Sequence, residues 1–331
     1  MGAYDTVLFI PVLILTLSIS LLISVPFSGA IVRLRANYNP KGLQLDVEGD
    51  VEPHTGPVVT SFFGMLRRVK RLEGWAGLYK GLMPTLLTVL IFSVPTATAI
   101  HIAKPIIHDR ANTLITSALG LALAAVGYLI FLPATIITYR AITTPYKLSS
   151  FRPIKALRVL LTPTERRRPW VLYATPGLFA AAALQFAYTA VFVEALRVWL
   201  APAPGAGQSG LETLQTVKLV IYVAVQTLSV AVLCPLDVMV AKLAVQRNHA
   251  VSGHNSTEQE AGDAALEEYA PDEEVIGFRS EEDPYLGFVD CFKKIVDEEG
   301  WKALYRVWWI TMLGLILGGL SVAVQAVAPP P

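Results

Sequence analysis

Long apolar stretches alternate with short polar ones along this chain. No Asp, Glu, Lys or Arg interrupts residues 6–32, 81–103, 111–139, 171–193, 219–236 or 307–331. A helix needs roughly 20 apolar residues to cross a bilayer. Five of these stretches reach that length, and 219–236 falls slightly short. The pattern predicts six membrane helices, at about 6–36, 82–107, 112–143, 171–199, 212–247 and 302–327. Six such helices in a water-soluble protein would leave no amphipathic shell to cover them. The first stretch lacks a basic leading segment and is too long for a signal-peptide core, so it reads as a retained transmembrane helix.

The stretches are not independent of one another. The first, third and fifth each contain a proline with a basic residue seven positions later: Pro26 and Arg33, Pro133 and Arg140, Pro235 and Lys242. Each proline predicts a kink, because it removes a backbone hydrogen bond and crowds the preceding turn. A linker follows, then a glutamate, then a Leu-Tyr pair (Leu78-Tyr79, Leu172-Tyr173, Leu304-Tyr305) that leads into the next apolar stretch. A period near 100 residues with two apolar stretches per period indicates a threefold internal repeat, divided as 1–111, 112–209 and 210–331.

The linkers carry the polar residues. In residues 59–72, Phe62, Phe63, Leu66, Val69 and Leu72 are predicted to share one face of a surface helix, opposite Arg67, Arg68, Lys70 and Arg71. The second linker sets Phe151, Ile154, Leu157 and Leu161 against Lys147, Arg152, Lys155 and Arg158. The third resumes the pattern at Phe288, Cys291, Phe292 and Ile295. It is preceded by 248–283, which holds eleven acidic residues and one arginine and reads as a disordered acidic loop, a candidate protein-docking segment. An even number of helices puts both termini on one side and the three long linkers on the other. Positive charge in the first two linkers favours the non-translocated side for all three.

Composition agrees with the pattern. The chain has 331 residues, 53% hydrophobic and 16% charged, against about 25% charged in soluble domains. A net charge of +1 suggests no bulk electrostatic partner. Cys234 and Cys291 show neither pairing nor metal spacing and read as packing residues. No phosphate loop, metal-ligand cluster or nucleophile–base pair is evident, so neither an enzyme nor a cofactor is expected. The basic linkers lack interleaved aromatics and read as contacts with lipid headgroups rather than nucleic acid.

Several segments resemble the mitochondrial carrier family. The best match is Glu73-Gly74-Trp75-Ala76-Gly77-Leu78-Tyr79-Lys80-Gly81-Leu82-Met83-Pro84. The others are Tyr285 to Ile295 leading to Glu299-Gly300-Trp301-Lys302-Ala303-Leu304-Tyr305-Arg306, and Pro235-Leu236-Asp237. The resemblance implies an all-α membrane protein: six transmembrane helices in three pseudo-symmetric repeats, forming an α-barrel with a short surface helix in each repeat. It also implies lipid contacts, cardiolipin among them, at Tyr79, Lys80, Gly81, Tyr285 and Gly287. Departures accompany it. The family closes one side with three acid–base pairs after the prolines. Here the acid positions hold Ser28, Thr135 and Asp237, and the first-base positions hold Ile31, Thr138 and Val240. Asp237 is therefore expected to be neutralised by Arg33, Arg140 or Lys242 from a neighbouring helix. Glu165-Arg166 replaces Glu-Gly in the second repeat, and Val307 stands where glycine belongs in the third.

The remaining ionisable residues bear two readings each. Glu194 and Arg197 form either a gate bridge or an interfacial pair. His101 and Lys104 either complete that gate or lie at the membrane boundary. Arg33, Arg140 and Lys242 either form a positive ring at a pore mouth or serve as helix-terminal charges beside lipid phosphates. The mid-depth polar residues are Ser93, Thr96, Thr98, Gln185, Tyr188, Thr189 and Gln226, with no cation among them in an even helix, so a multiply charged substrate is not expected. Two functions follow from these features. One is alternating-access transport of a small uncharged or singly charged solute across a mitochondrial membrane, the inner rather than the outer. The other is a carrier-derived interaction, fusion or morphology factor of the outer membrane that no longer transports.

Overall fold

The computed structural model describes residues 3–41, 44–45, 51–52, 59–93, 113–148, 153–200, 212–247, 269, 273–280 and 283–327. The sole β ladder among them is a two-residue antiparallel pairing, β1 (Gln44–Leu45) with β2 (Val51–Glu52). All other regular structure is helical. The long helices are α1 (Ala3–Ala36), α4 (Thr113–Thr143), the consecutive α8 (Glu212–Leu228) and α9 (Val230–Val245), and α11 (Trp308–Val327). A further helix begins as α6 (Leu178–Ala187), widens to a π-helical segment at Tyr188–Val193 and ends as α7 (Glu194–Leu200). The second helix, predicted at about 82–107, is described only through α3 (Leu82–Thr88) and the π turn Val89–Ser93; its remainder lies outside the described residues.

Three surface helices connect these elements: α2 (Phe62–Leu72), α5 (Pro153–Leu160) and α10 (Phe288–Lys294). On α2 the buried face is Phe62, Met65 and Val69, whereas Phe63, expected on that face, is 64% exposed. Met65 displaces it because positions i, i+3 and i+7 align more closely with the neighbouring α1 than i+1 does. Ile154 of α5 is likewise exposed, while Leu157 and Leu161 pack inward.

Five helical stretches are long and apolar enough to cross a membrane, and their apolar faces point outward. Only 11% of the most hydropathic window of Gly120–Thr143, and a third of that of Thr216–Val245, is buried. Water would not tolerate so much exposed leucine and isoleucine, whereas hydrocarbon does. The interior comprises two clusters. One joins Leu132 and Ile136 of α4 to Leu178, Met239, Leu243, Cys291 and Ile295. The other joins Leu34 of α1 to Met65, Val69, Ile276 and Val307.

One contact recurs at all three prolines and explains why a Leu-Tyr pair follows each. Proline cannot donate to the carbonyl four residues earlier. The orphaned carbonyls are those of Leu22, Leu129 and Ala231. Each receives the hydroxyl of the tyrosine from its own Leu-Tyr pair: Tyr79 to Leu22 at 3.3 Å, Tyr173 to Leu129 at 2.9 Å, Tyr305 to Ala231 at 3.1 Å. The kinked helix is thus stitched to the start of the next one. The turn after Tyr79 places Gly81 at φ +87°, and the turn after Tyr305 places Val307 at φ 61°. A β-branched residue in this left-handed region costs roughly 1–2 kcal/mol. The turn has been kept although its glycine has not, and Val307 offsets the strain by burying its side chain.

The stitch predicts a specific coupling. Tyr79→Phe should lower stability by about 1 kcal/mol, the net worth of a hydrogen bond. In a Pro26→Ala background the restored amide satisfies Leu22 instead, and the same substitution should cost close to nothing. Thermal unfolding of the four proteins in detergent measures that difference.

Candidate functional site

The three basic residues that follow the prolines lie where α1, α4 and α9 end. Seven positions are two helical turns, so proline and base share a face. That face meets the segment leading to the tyrosine, and each base is paired there with a glutamate. Arg33 Nη2 lies 2.8 Å from Glu73 Oε2, Arg140 Nη1 2.7 Å from Glu165 Oε2, and Lys242 Nζ 2.7 Å from Glu299 Oε1. The three bases are 1%, 4% and 5% exposed. This burial rules out an open ring at a pore mouth and contact with lipid phosphates, whereas the place of all three bases in the last turn of a helix agrees with their reading as helix-terminal charges. Unpaired, each would carry a prohibitive desolvation cost.

The pairs also reach across to the next helix end. Eleven residues beyond the three prolines stand Asn37, Thr144 and Gln246, whose carbonyls are among those a helix C-terminus leaves unbonded. Lys80 Nζ, held by Glu73 beside Arg33, donates to Thr144 O at 2.7 Å. Arg140 Nη2 donates to Gln246 O at 2.8 Å. Lys242 Nζ donates to Asn37 O at 3.0 Å, and Arg306 Nη1 also reaches that oxygen. The contacts form a closed cycle: α1's unit to α4, α4's unit to α9, α9's unit to α1. Glu73 and Glu299 each hold two cations, Arg33 with Lys80 and Lys242 with Arg306. At Glu165 the described residues show Arg140, and Ala174 stands where a cation follows Tyr79 and Tyr305. Arg140 compensates by using five N–H donors: two to Glu165 and one each to Leu160 O, Ala244 O and Gln246 O. Glu165 needs no following glycine, since a capping box with Thr162 fixes it.

Deeper in the bundle lies a second polar group. Asp237 is neutralised by Arg35, whose Nη2 is 2.7 Å from its Oδ2; none of Arg33, Arg140 or Lys242 does this. Those three are committed to glutamates, whereas Arg35 stands two residues further along α1 and faces α9. The same Nη2 donates to Thr311 Oγ1 at 2.8 Å, and Gln185 Nε2 donates to Asp237 Oδ1 at 2.6 Å. Tyr128 OH donates to Gln185 Oε1 at 3.4 Å, and Tyr188 OH to Ser229 Oγ at 2.9 Å. Five helices therefore meet at one ion pair wrapped in neutral polar groups. Arg35 Nε is buried with no hydrogen-bond partner among the described residues.

The other candidates fall elsewhere. Glu194 and Arg197 pair with each other on α7, half-exposed, within electrostatic reach of Tyr222 on α8. His101 and Lys104, with Thr96 and Thr98, lie outside the described residues. Of the lipid candidates, Lys80 is buried and occupied as above, and burial pulls its pKa down to about 8 against the opposing pull of Glu73. Tyr79 has its hydroxyl on Leu22. Tyr285 is 3% exposed and exchanges two backbone hydrogen bonds with the Gln246 amide. Gly81 begins α3, and Gly287 is extended, with its backbone against Gly177. Sequence reasoning missed Arg35, Lys80 as a cross-link, and the Thr162–Glu165 box; only the last had a local signal, Thr-Pro-Thr-Glu.

Residues 215–325 match the family model for mitochondrial carrier protein. No curated protein matches the chain. The matched segment contains α8 to α11, and with it Asp237, Lys242, Glu299 and Tyr305. Together with the apolar helices it supports a membrane protein of the carrier type.

Breaking the cycle should be costly in proportion to what is orphaned. Arg140→Met leaves Glu165 charged and buried and should cost about 3–5 kcal/mol. Lys80→Met leaves Arg33 on Glu73 and removes mainly the Thr144 link, for about 1–3 kcal/mol. Arg140→Lys should fall nearer to Met than to wild type, since an ammonium cannot replace the five-donor fork. Thermal unfolding in detergent ranks the three.

Proposed function

We infer that the whole chain is a mitochondrial carrier-type transporter: six membrane helices in three repeats, 1–111, 112–209 and 210–331, moving a small uncharged or singly charged solute by alternating access. The cycle of buried cations on helix-end carbonyls carries this reading. It recurs in the two thirds of the chain that the family match does not cover, at the same offsets from proline. A solute crossing a bundle of this kind passes a midplane site between the repeats. Between such a site and the tied helix ends the chain offers one neutralised ion pair, Arg35–Asp237, hydrogen-bonded to Gln185. The free Nε–H of Arg35 supplies one donor for a solute acceptor. A polycarboxylate or nucleotide would need several uncommitted cations at that depth, and none faces it among the described residues. The tied helix ends correspond to closure on the linker side. The inner mitochondrial membrane is the setting we propose, with lipid at the surface helices.

Uptake into liposomes by the purified protein tests the reading. Across uncharged and singly charged metabolites, at least one should accumulate, and Arg35→Met should abolish that uptake. No uptake of any of them, with protein that melts cooperatively, would favour the non-transporting alternative. Protease should leave 248–268 intact in whole mitochondria and in mitoplasts and cut there only once the inner membrane is permeabilised, as for a loop in the matrix. Cutting in intact mitochondria would place the loop in the cytosol and favour the outer-membrane alternative.

A further inference from the structure

The acidic linker between α9 and α10 was expected to be disordered throughout. Residues 248–268, 270–272 and 281–282 lie outside the described residues, but Glu273–Ser280 is docked. The correction has a clear cause: Val275 and Ile276 anchor this piece in the apolar cluster, and a few residues before it Tyr269 is attached as well, its amide donating to Pro145 O at 3.3 Å and its ring facing Lys80. Ile276 is 2% exposed, packed in the cluster of Leu34, Met65 and Val69. The backbone is held from both sides. Arg68 of α2 donates to Val275 O at 3.1 Å and Glu274 O at 2.6 Å, and Glu273 lies 2.9 Å from Arg68 and 3.0 Å from Arg71. Tyr38 N donates to Gly277 O at 2.9 Å, while Gly277 N donates to Asn37 Oδ1 at 2.8 Å. Arg279 pairs with Glu298 at 2.9 Å and lies over the rings of Tyr38 and Tyr285.

These contacts converge on one junction. Asn37 is gripped through its side chain by Gly277 and through its carbonyl by Lys242 and Arg306. The docked piece therefore clamps α1 to the α9–α11 unit at the link that closes the cycle. Ser28 and Ile31 on α1 and Val240 on α9 cannot form ion pairs, so Arg35–Asp237 is the ion pair that joins these two helices among the described residues. We propose that Glu273–Ser280 is an intramolecular latch that holds the linker-side ends of α1 and α9 together, reinforcing the single ion pair, Arg35–Asp237, that joins them. The latch is a property of the closed bundle and stands whether or not a solute is transported.

Cysteine reporters distinguish a latch from a passive cover. Val245→Cys lies just under the docked piece, packed against the cluster that holds Ile276. Val240→Cys lies deeper and is 6% exposed. Native Cys291 is a poor competitor for maleimide, since burial pushes its thiol up to about 12. Two variants release the latch. Gly277→Val drives a Cβ to 2.8 Å from Tyr38 O. Glu273→Lys reverses the rim charge without touching the core. Modification by a membrane-impermeant maleimide, read site by site by mass spectrometry, should accelerate about tenfold at both reporters with Gly277→Val. With Glu273→Lys it should accelerate about two- to fivefold at both, as expected when a local opening is made easier. Acceleration at Val245→Cys alone would reduce the segment to a lid and overturn the proposal, as would no change at either site. If Gly277→Val fails to melt cooperatively, the Glu273→Lys rates decide.

Discussion

A helix that stops inside a packed bundle leaves its last carbonyls without partners, and in this chain three helices stop at the same level. Water cannot reach those oxygens freely, so the protein must supply donors. It does so with cations, and each cation is itself made tolerable by a buried glutamate. The unit of construction is therefore triple: glutamate, cation, and a carbonyl from the next helix. Because the carbonyl belongs to a neighbour, satisfying it fixes that neighbour's position. α1, α4 and α9 are set against one another by this requirement. The depth of Asp237 follows from it, and so does the position of the end of α1 on which Glu273–Ser280 docks.

Proline and tyrosine position the triple from below. The proline bends the helix and strips one carbonyl of its donor; the tyrosine hydroxyl replaces the donor and ties down the segment that carries the glutamate. Remove the proline and the tyrosine has no reason to sit where it does. Remove the tyrosine and the glutamate segment loses its lower anchor. The strength of the scheme lies in its redundancy. Around Glu165 no cation follows the tyrosine and the glycine is gone, yet a capping box and a five-donor arginine reproduce the link. At Val307 the backbone conformation outlasts the glycine that made it easy.

Much of this was legible in the chain. The apolar stretches located the helices among the described residues, although α6 and α11 begin at Leu178 and Trp308 rather than near 171 and 302, and the spacing of Pro26, Pro133 and Pro235 from Arg33, Arg140 and Lys242 pointed to residues that make equivalent contacts. What those bases touch was not legible, because Glu73, Glu165 and Glu299 lie 25 to 57 residues away and their carbonyl acceptors carry no side-chain signature. Any residue type can present a carbonyl, so Asn37, Thr144 and Gln246 share a role without sharing chemistry. Arg35 was overlooked because it stands two positions past the expected base. Glu273–Ser280 was hidden by its surroundings: eight residues with apolar anchors vanish in the average of a long acidic segment.

Replacing side-chain acceptors with main-chain ones also changes what closure costs. A hydrogen bond from a charged donor contributes about 1.5–3 kcal/mol, so three links supply roughly 5–9 kcal/mol. A solute that favours one state over another can shift an equilibrium only by its differential affinity, and a near-complete switch needs about 5.5 kcal/mol. Closure by the three links is thus comparable with what a small ligand can overcome. Adding three full acid–base pairs to that cycle would make the closed state too deep for an uncharged or singly charged solute to open. The thinning of the ion pairs to Arg35–Asp237 alone is then consistent with a weakly interacting solute, and the closure that remains rests on backbone oxygens that substitution cannot remove.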